Sequence, residues 1–427
     1  MSLRIEELSD DDLDDFITIV ANAYPDIRIE SLEDRKRHKE RIILSLKSNA
    51  RLVGAYLEGK LVGGARYHDF KMNFYGKIVD ACGLGLVAVD LLHKKEKICK
   101  ELVLHFIEYT RNRAFIGMLY PFRPDFYYKM GFGFGTKMEQ YRIKANSIPM
   151  KSKENIRFLT KEDLSYLLSC YNKFAQSRHG MLIRTSASFG HIFEDTQNRI
   201  VGCFNDDKLD AYCVFSFKPT MQDTMFQNDI FIKELVYNNS DSLNRILTFL
   251  STQSDQVNNI IINTQEDDFY HLFPDPRDGS NRIIPSVYHE SNTAGVGIMY
   301  RVVDIPGLVN TLFSKVDYDG KLKLKLTLSD SFYPKNSGSY YIYFSDNEGS
   351  ISDDKDVDVE LVTDISPFSS LVMGSVTLGS LLRLGLANLS DDKYYPILAR
   401  IFSKVEKTIS CEWTRCNIPT LLPLREK

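Results

Sequence analysis

At 427 residues the chain is too long for one ordinary core and implies two or three domains. Its 43% apolar and 26% charged residues are those of a globular protein, which excludes disordered and fibrous classes. A formal net charge of −4 argues against a general nucleic-acid binder, which needs a basic surface, and suits a cationic small-molecule partner better.

The first predicted elements lie in "LRIEELSDDDLDDFITIVANAY". A short strand ends at Leu8. Ser9 then stands as a hydroxyl N-cap with Asp12 three positions on, which satisfies the orphan amides of a helix start. Leu13 begins the apolar stripe. The N-terminus is acidic and has no long apolar run, so no signal peptide is expected, and no stretch approaches a membrane span. "RLVGAYLEGKLVGGARY" (51–67) alternates, turns at "EG" (58–59) and restarts at Lys-Leu, which is hairpin grammar. "ACGLGLVAVD" (81–90) is an apolar strand that runs straight into "LLHKKEKICKELVLHFIEYTRNR", where Leu102, Phe106 and Tyr109 mark an apolar helix face. A strand entering a basic turn at a helix N-terminus is a natural pyrophosphate cradle, because free amides and the positive dipole end face the anion. A solvated charged helix start is the plainer alternative. After the strand "AFIGMLY" comes "YPFRPDFYYKMGFGFG" (120–135), with seven aromatic residues, three glycines, Pro121 and Pro124. Neither a strand core nor a helix core holds that mixture. A short helix, a glycine-rich exit and a buried tyrosine hydroxyl are expected here, with Tyr127 and Tyr128 both open as functional groups.

The pattern then repeats. "NIRFLTKEDLSYLLSCYNKFA" matches the opening segment, with Leu159, Thr160, Asp163 and Leu164 in the places of Leu8, Ser9, Asp12 and Leu13. "RIVGCFNDDKLDAYCVF" (199–215) aligns without a gap on 51–67, turning at "DD" (206–207). "DFY" recurs at 268–270 after 125–127. Three matches in the same order, at offsets of 143 to 151 residues, predict two related α/β domains spanning 1–147 and 148–296. The second copy lacks the basic turn: "IFIKELVY" (230–237) leads into "NNSDSLNRIL", and "DFYHLFPDP" loses the Gly-Phe exit. It reads as a scaffold without a cofactor of its own. From 297 to 427 a third, α+β domain is expected. "GIMYRVVDIPGLVNTLF" gives a strand and a short helix, and "KLKLKLTLSD" and "SYYIYFSDNEG" alternate as half-buried strands. Residues 346–356 read as a loop, and "SPFSSLVMGSVTLGSLLRLGLANL" as two short helices with a glycine-containing break. The seven cysteines (Cys82, Cys99, Cys170, Cys203, Cys213, Cys411 and Cys416) show no metal-ligand spacing and read as reduced thiols of a cytoplasmic protein. The eight histidines show no zinc spacing, so no metal is expected. Trp413 is expected to pack the third domain.

On these residues the chain resembles the Eis-type (enhanced intracellular survival) acetyltransferases, which carry two GNAT units and a sterol-carrier-protein-like third domain. "LVAVDLLHKKEKICKELV" sits where the family has Val-x-Val, a proline, then His-Arg-Arg-x-Gly and a helix. "LYPFRPDFYYKMGFGFG" sits where it has Pro-Phe, Phe-Tyr and Gly-Phe. "HGMLIRTSASF" (179–189) and "MYRVVDIPGL" (299–308) resemble its linking segments. The resemblance covers essentially the whole chain.

It implies transfer of an acetyl group from acetyl-CoA to a primary amine of an aminoglycoside, a polyamine or a protein lysine, without a covalent enzyme intermediate. Val87, Ala88 and Val89 would pair with the pantetheine arm. Lys94 and Lys95 would face the pyrophosphate where the family has arginines, and Ile98 and Cys99 would open the helix behind it. Lys97 stands where the family has glycine, and a side chain there either crowds the diphosphate or turns outward and adds a cation. Tyr127 matches the catalytic tyrosine that protonates the leaving thiolate. Asp26 and Tyr24 lie where the family lines its substrate cleft, and the terminal carboxylate of Lys427 matches the proposed base, although the chain ends "LREK" instead of in an aromatic residue. The family assembles as trimers or hexamers, so a homo-oligomer is expected. The rival expectation is a binding or regulatory protein on the same scaffold, with acetylation weakened by Lys97 and the altered C-terminus.

Overall fold

The structure, a computed structural model, describes residues 3–25, 31–46, 49–220, 227–313, 318 and 320–402. It divides into two compact units, one running to Gly135 and resuming at Gly297, the other spanning Thr136–Val296.

In the first unit β1 (Leu3–Glu7) leads to α1 (Leu13–Ala23). Ser9 Oγ donates to the Asp12 carboxylate at 2.6 Å and accepts the Asp12 amide at 3.3 Å. That pair closes a turn of its own, so the helix starts at Leu13, later than a Ser9 cap would start it. After α2 (Leu32–Leu46), β2 (Ala50–Leu57) and β3 (Lys60–Phe74) form the expected hairpin. Its turn residues Glu58 and Gly59 have φ of 52° and 83°, the left-handed pair that matches strand twist. β4 (Lys77–Val89), α3 (Ile98–Arg111), β5 (Ile116–Leu119), α4 (Pro124–Tyr128) and β6 (Gly133–Phe134) follow. Phe16, Leu102, Phe106 and Phe132 are fully buried on the two faces of this sheet.

The second unit repeats the plan. β7 (Met138–Lys144), β8 (Ile156–Phe158), α5 (Leu164–Gln176), α6 (Ser186–Phe189), the hairpin β9 (Arg199–Asn205) and β10 (Lys208–Pro219), then β11 (Asn228–Tyr237), α7 (Ser240–Ser251) and β12 (Val257–Thr264) come in order. A small hairpin, β13 (Ile283–Ile284) with β14 (Tyr288–His289), and β15 (Asn292–Gly295) close it. The sheet order is β15-β7-β12-β11-β10-β9-β8.

The chain then returns to the first unit with β16 (Met299–Val302) and α8 (Ile305–Leu312). β17 (Leu322–Ser329), β18 (Gly338–Ser345), β19 (Glu348–Ile351), β20 (Val359–Asp364), α9 (Ile365–Val372), α10 (Leu378–Arg383), β21 (Ala387–Leu389) and α11 (Tyr395–Ile401) build a five-stranded sheet with helices. Two sequence expectations change here. The stretch 346–356 holds β19, because Asp346 and Asn347 take φ of 53° and 65° and turn the chain back onto β18. The sheets also exchange strands across the expected boundaries. β7 joins the second sheet, and β16 enters the first sheet between β5 and β6, giving β1-β2-β3-β4-β5-β16-β6. All four residues of β16 are buried, so it needs cover on both faces and partners on both edges, which a central position supplies.

Candidate active site

The site is built where β4 outruns β5. The two strands pair in parallel only from Cys82 opposite Gly117 to Leu84 opposite Leu119. β4 continues to Val89, held on its other side by β3. Among the described residues, Gly85–Val89 therefore has no strand partner on this side, the form of edge to which an extended amide-bearing chain adds. The strand also bulges there: Gly64 pairs with Ala88 and Arg66 with Gly85, so Leu86 and Val87 oppose one residue. Leu86 takes φ of 49° to absorb the extra residue. Val87 and Val89 lean on the core beneath α3, while Ala88 faces α1. Tyr24, just past α1, donates its hydroxyl to the Val87 carbonyl at 2.8 Å.

Beyond the edge the chain makes a basic loop into α3. Asp90 caps the turn by accepting the Leu92 amide at 2.9 Å, and His93 contacts Glu96 at 2.9 Å. Lys94, Lys95 and Lys97 are exposed. Lys97 is the N-cap residue with φ of 66° and ψ of 6°, a left-handed conformation that glycine adopts without steric cost. Its side chain points into solvent and makes no cap bond, so it does not crowd the helix start. Among the described residues no acceptor meets the amides of Ile98, Cys99 and Lys100, the donors a helix N-terminus offers an anion. Ile98's own side chain is buried in the core, so its backbone amide is the group it can offer a ligand.

Tyr127 closes the arrangement. Pro124 starts α4, and Tyr127 is 4% exposed, packed edge-on against Phe126 and Phe132. Burial drives its hydroxyl pKa well above 10, with repulsion from the ionised forms of Cys99 and Tyr24 adding to it, and Cys99 packs against the same core cluster as Tyr127. The Tyr24 hydroxyl is raised to about 12 by burial first and Cys99 second, with Arg66 opposing the shift. Cys99 is itself pushed up to about 11 by burial, a poor nucleophile. Tyr128 faces elsewhere: it stacks on Phe134 at 5.3 Å and senses Asp364. Of the two tyrosines left open by the sequence, Tyr127 is the one beside the strand edge. The glycine-rich exit has a packing cause. A Cβ on Gly131, at φ of 82°, would lie 1.4 Å from Arg301 Nη1, and one on Gly133 would lie 2.1 Å from the Ser366 carbonyl oxygen.

Thus Tyr24, Val87, Cys99 and Tyr127 converge, with Lys94, Lys95 and Lys97 at the loop mouth. Asp26 and Lys427 lie outside the described residues, as do Trp413, Cys411 and Cys416. The sequence reading did not find Arg66 and His68, two buried polar residues on β3 beside the bulge, linked Nε to Nε2 at 3.0 Å. Burial and the Arg66 charge hold His68 neutral, well below its ordinary pKa. Two charge-bearing groups inside the otherwise apolar "GGARYH" were the available signal.

The second unit has the same splay, β11 pairing with β12 only through Ile232 and Ile262. Its helix start is used internally: Asn239 accepts the Ser242 amide at 2.8 Å. A cavity of about 470 Å³ lies beside it, lined by Lys173 and Arg178 as well as by Glu266 and Asp268, so its charges are mixed, and the loop that matches the basic turn of the first copy contributes Asn238, Asn239 and Ser240. Its tyrosine from "DFY", Tyr270, is 37% exposed.

A mixed sheet splayed between two parallel strands, bulged on one of them and followed by an open helix N-terminus, defines the chain as a GNAT-type acyltransferase. The acetyltransferase (GNAT) domain family matches residues 4–135, a second acetyltransferase (GNAT) domain family matches 180–302, and the sterol carrier protein domain matches 309–410. The chain accordingly carries two tandem GNAT domains followed by a sterol-carrier-like domain, the domain order that the Eis-type resemblance implies. Similar solved structures include a GCN5-related N-acetyltransferase from Anabaena variabilis (16% identity, 95% of this chain and 98% of that one, TM-score 0.79). Another is a GCN5-related N-acetyltransferase from Kribbella flavida (18%, 95% and 98%, 0.74). Eis1 from Mycobacterium abscessus is a third (17%, 95% and 99%, 0.72). At such identities the likeness speaks to the fold. No curated protein matches the sequence. Cys82, Cys99, Cys170, Cys203 and Cys213 are unbridged, and among the described residues no helix is long and apolar enough to cross a membrane.

Proposed function

We propose that the first GNAT domain moves an acetyl group from acetyl-CoA directly to a primary amine of an aminoglycoside- or polyamine-like molecule. The observation that carries this reading is the convergence of the open Gly85–Val89 edge, the uncapped start of α3 and the buried Tyr127 hydroxyl. Pantetheine adds to the strand edge, and the pyrophosphate meets the Ile98 to Lys100 amides, with Lys94, Lys95 and Lys97 supplying charge. The amine attacks the thioester carbonyl, the new C–N bond replaces the C–S bond, and the departing thiolate takes its proton from Tyr127. With a pKa held well above 10, Tyr127 is protonated at any working pH, whereas an ordinary thiol ionises at about 8.5. In this reading Asp26 draws in the substrate ammonium, and the Lys427 carboxylate takes the proton the amine releases. The raised thiol of Cys99 supports direct transfer over a covalent intermediate. The outward Lys97 weighs against the rival scaffold-only reading, whose premise is a crowded diphosphate.

Calorimetric titration with acetyl-CoA, followed by a thiol-release assay on a panel of polyamines and aminoglycosides, tests the proposal. Saturable binding with turnover of at least one amine is expected. Failure to bind at millimolar acetyl-CoA overturns it.

A further inference from the structure

The short segment after Tyr127 is fastened by residues that come far later in the chain. The Tyr128 carbonyl accepts the Ser366 hydroxyl at 3.2 Å. The Met130 carbonyl accepts Arg301 Nη1. The Phe134 carbonyl accepts Ser370 at 2.9 Å and Ser375 at 2.6 Å. Arg301 is fully buried, and its second terminal nitrogen pairs with the fully buried Asp330. Asp330 is fixed in turn by the Tyr333 amide at 2.9 Å and by Asn336 at 3.4 Å, and its own amide donates to Ser337 at 2.8 Å. On α9, Ser369 accepts the Val302 amide at 3.0 Å, tying the same helix to β16. By contrast, the described hydrogen bonds that hold Tyr127 from its own domain are local, to Arg123, Met130 and Phe132.

A buried guanidinium paired with a buried carboxylate is costly to assemble and strongly destabilising to break, so it fixes a geometry more than it adds stability. Here that geometry is the exit of α4. Gly131 and Gly133 are small because Arg301 and α9 occupy the space a side chain would need. Resting on the reading of Tyr127 as the acid, we infer that the sterol-carrier-like domain is a positioning part of the acetyl-transfer site. Through Asp330, which holds Arg301 of β16, and through Ser366 and Ser370, it seats α4 so that the Tyr127 hydroxyl stays buried in the core that Cys99 packs against. This seating role is separate from the part proposed for the Lys427 carboxylate.

The test uses full-length protein carrying Arg301→Lys, which keeps a cation for Asp330 but loses the two-pronged fork, and separately Ser366→Ala with Ser370→Ala. The first readout needs no turnover: alkaline ultraviolet titration of each protein minus the same protein with Tyr127→Phe isolates the ionisation of Tyr127. In the native chain that signal is expected only above about pH 10, and in both variants it moves to lower pH as water reaches the hydroxyl. The second readout is kinetic. The value of kcat falls about tenfold while KM for acetyl-CoA stays within about twofold, because the strand edge and α3 are untouched. Folded variants with an unshifted Tyr127 titration overturn the inference, as does a raised KM at unchanged kcat. If the native chain turns over no amine, the reading of Tyr127 as acid fails, and the titration still decides whether the third domain seats it. Should Arg301→Lys fail to fold, the serine pair carries the decision.

Discussion

The two GNAT domains of this chain share a topology and differ at the places where chemistry would occur. Each splays a pair of parallel strands, β4 from β5 and β11 from β12, and sets a helix N-terminus beside the opening. In the first, α3 begins at the left-handed Lys97, leaving its first amides without a side-chain acceptor. In the second, Asn239 takes an extended conformation and caps α7 with its own side chain, and Asp241 adds a negative charge to the first turn. Tyr127 is buried beside the strand edge, whereas Tyr270 is half exposed. Inside the second domain, Glu234 binds Arg184 at 2.7 Å and accepts the Tyr212 hydroxyl, a polar network that serves the core. The fold is thus maintained by strand registers and buried faces, which both copies retain. Among the described residues, the open helix start and the buried tyrosine belong to the first copy, and in the proposed reading that is where function sits.

The largest test of that contrast is a matched pair of substitutions. Tyr127→Phe is expected to lower kcat by about 100-fold with little change in the amine KM, while Tyr270→Phe leaves both unchanged. Equal effects in steady-state assays would erase the distinction. The pH profile sharpens it. A general acid works only while protonated, and the Tyr127 pKa is raised, so its protonated form persists through pH 10 and no loss of kcat from this group is expected below that. A drop in the Tyr127-dependent rate near pH 8 would remove it from the acid role. Next in size is charge at the loop. Lys94→Ala with Lys95→Ala should raise the acetyl-CoA KM about tenfold, and the native KM should rise with salt as exposed charges are screened. Lys173→Ala, at the corresponding opening of the second domain, should leave it within about twofold.

Local patterns in the sequence carried much of this. The hairpin turns at Glu58–Gly59 and near Asp206 fall where alternation and turn residues put them, because both signals are local in the chain. The repeat exposed the two GNAT units, and the aromatic segment singled out Tyr127 with Tyr128 as its rival. Other features depend on partners that no local pattern names. Nothing in "GIMYRVV" says which sheet β16 joins, since a continuously buried strand suits any central position. The open edge of β4 is visible only once the short reach of β5 is known. Arg301 with Asp330, and Arg66 with His68, are buried pairs whose members look like ordinary surface charges until the fold brings each to its partner. The Ser9 and Asp12 pair was legible as a cap but closes a turn before α1, whereas the same grammar at Thr160 and Asp163 makes a full capping box.

The smallest effects concern the two helix starts, and there the contrast predicts opposite signs. Lys97 holds φ of 66°, which costs a residue with a Cβ about 1 kcal/mol and costs glycine almost nothing. Its side chain makes no described hydrogen bond or ion pair, so Lys97→Gly removes strain without removing a contact. Glycine's greater freedom in the unfolded chain offsets part of that gain. The expected net result is stabilisation of about 0.5 kcal/mol, with acetyl-CoA affinity lowered at most about twofold by the lost cation. Asn239 is the mirror case. Its side-chain oxygen accepts the Ser242 amide at 2.8 Å, and Asn239→Ala orphans that donor at a cost of about 1 kcal/mol. Denaturant melts of the two variants decide the matter. A destabilised Lys97→Gly would mean the left-handed residue is held by contacts of its side chain, and a neutral Asn239→Ala would mean the second helix start is as open as the first.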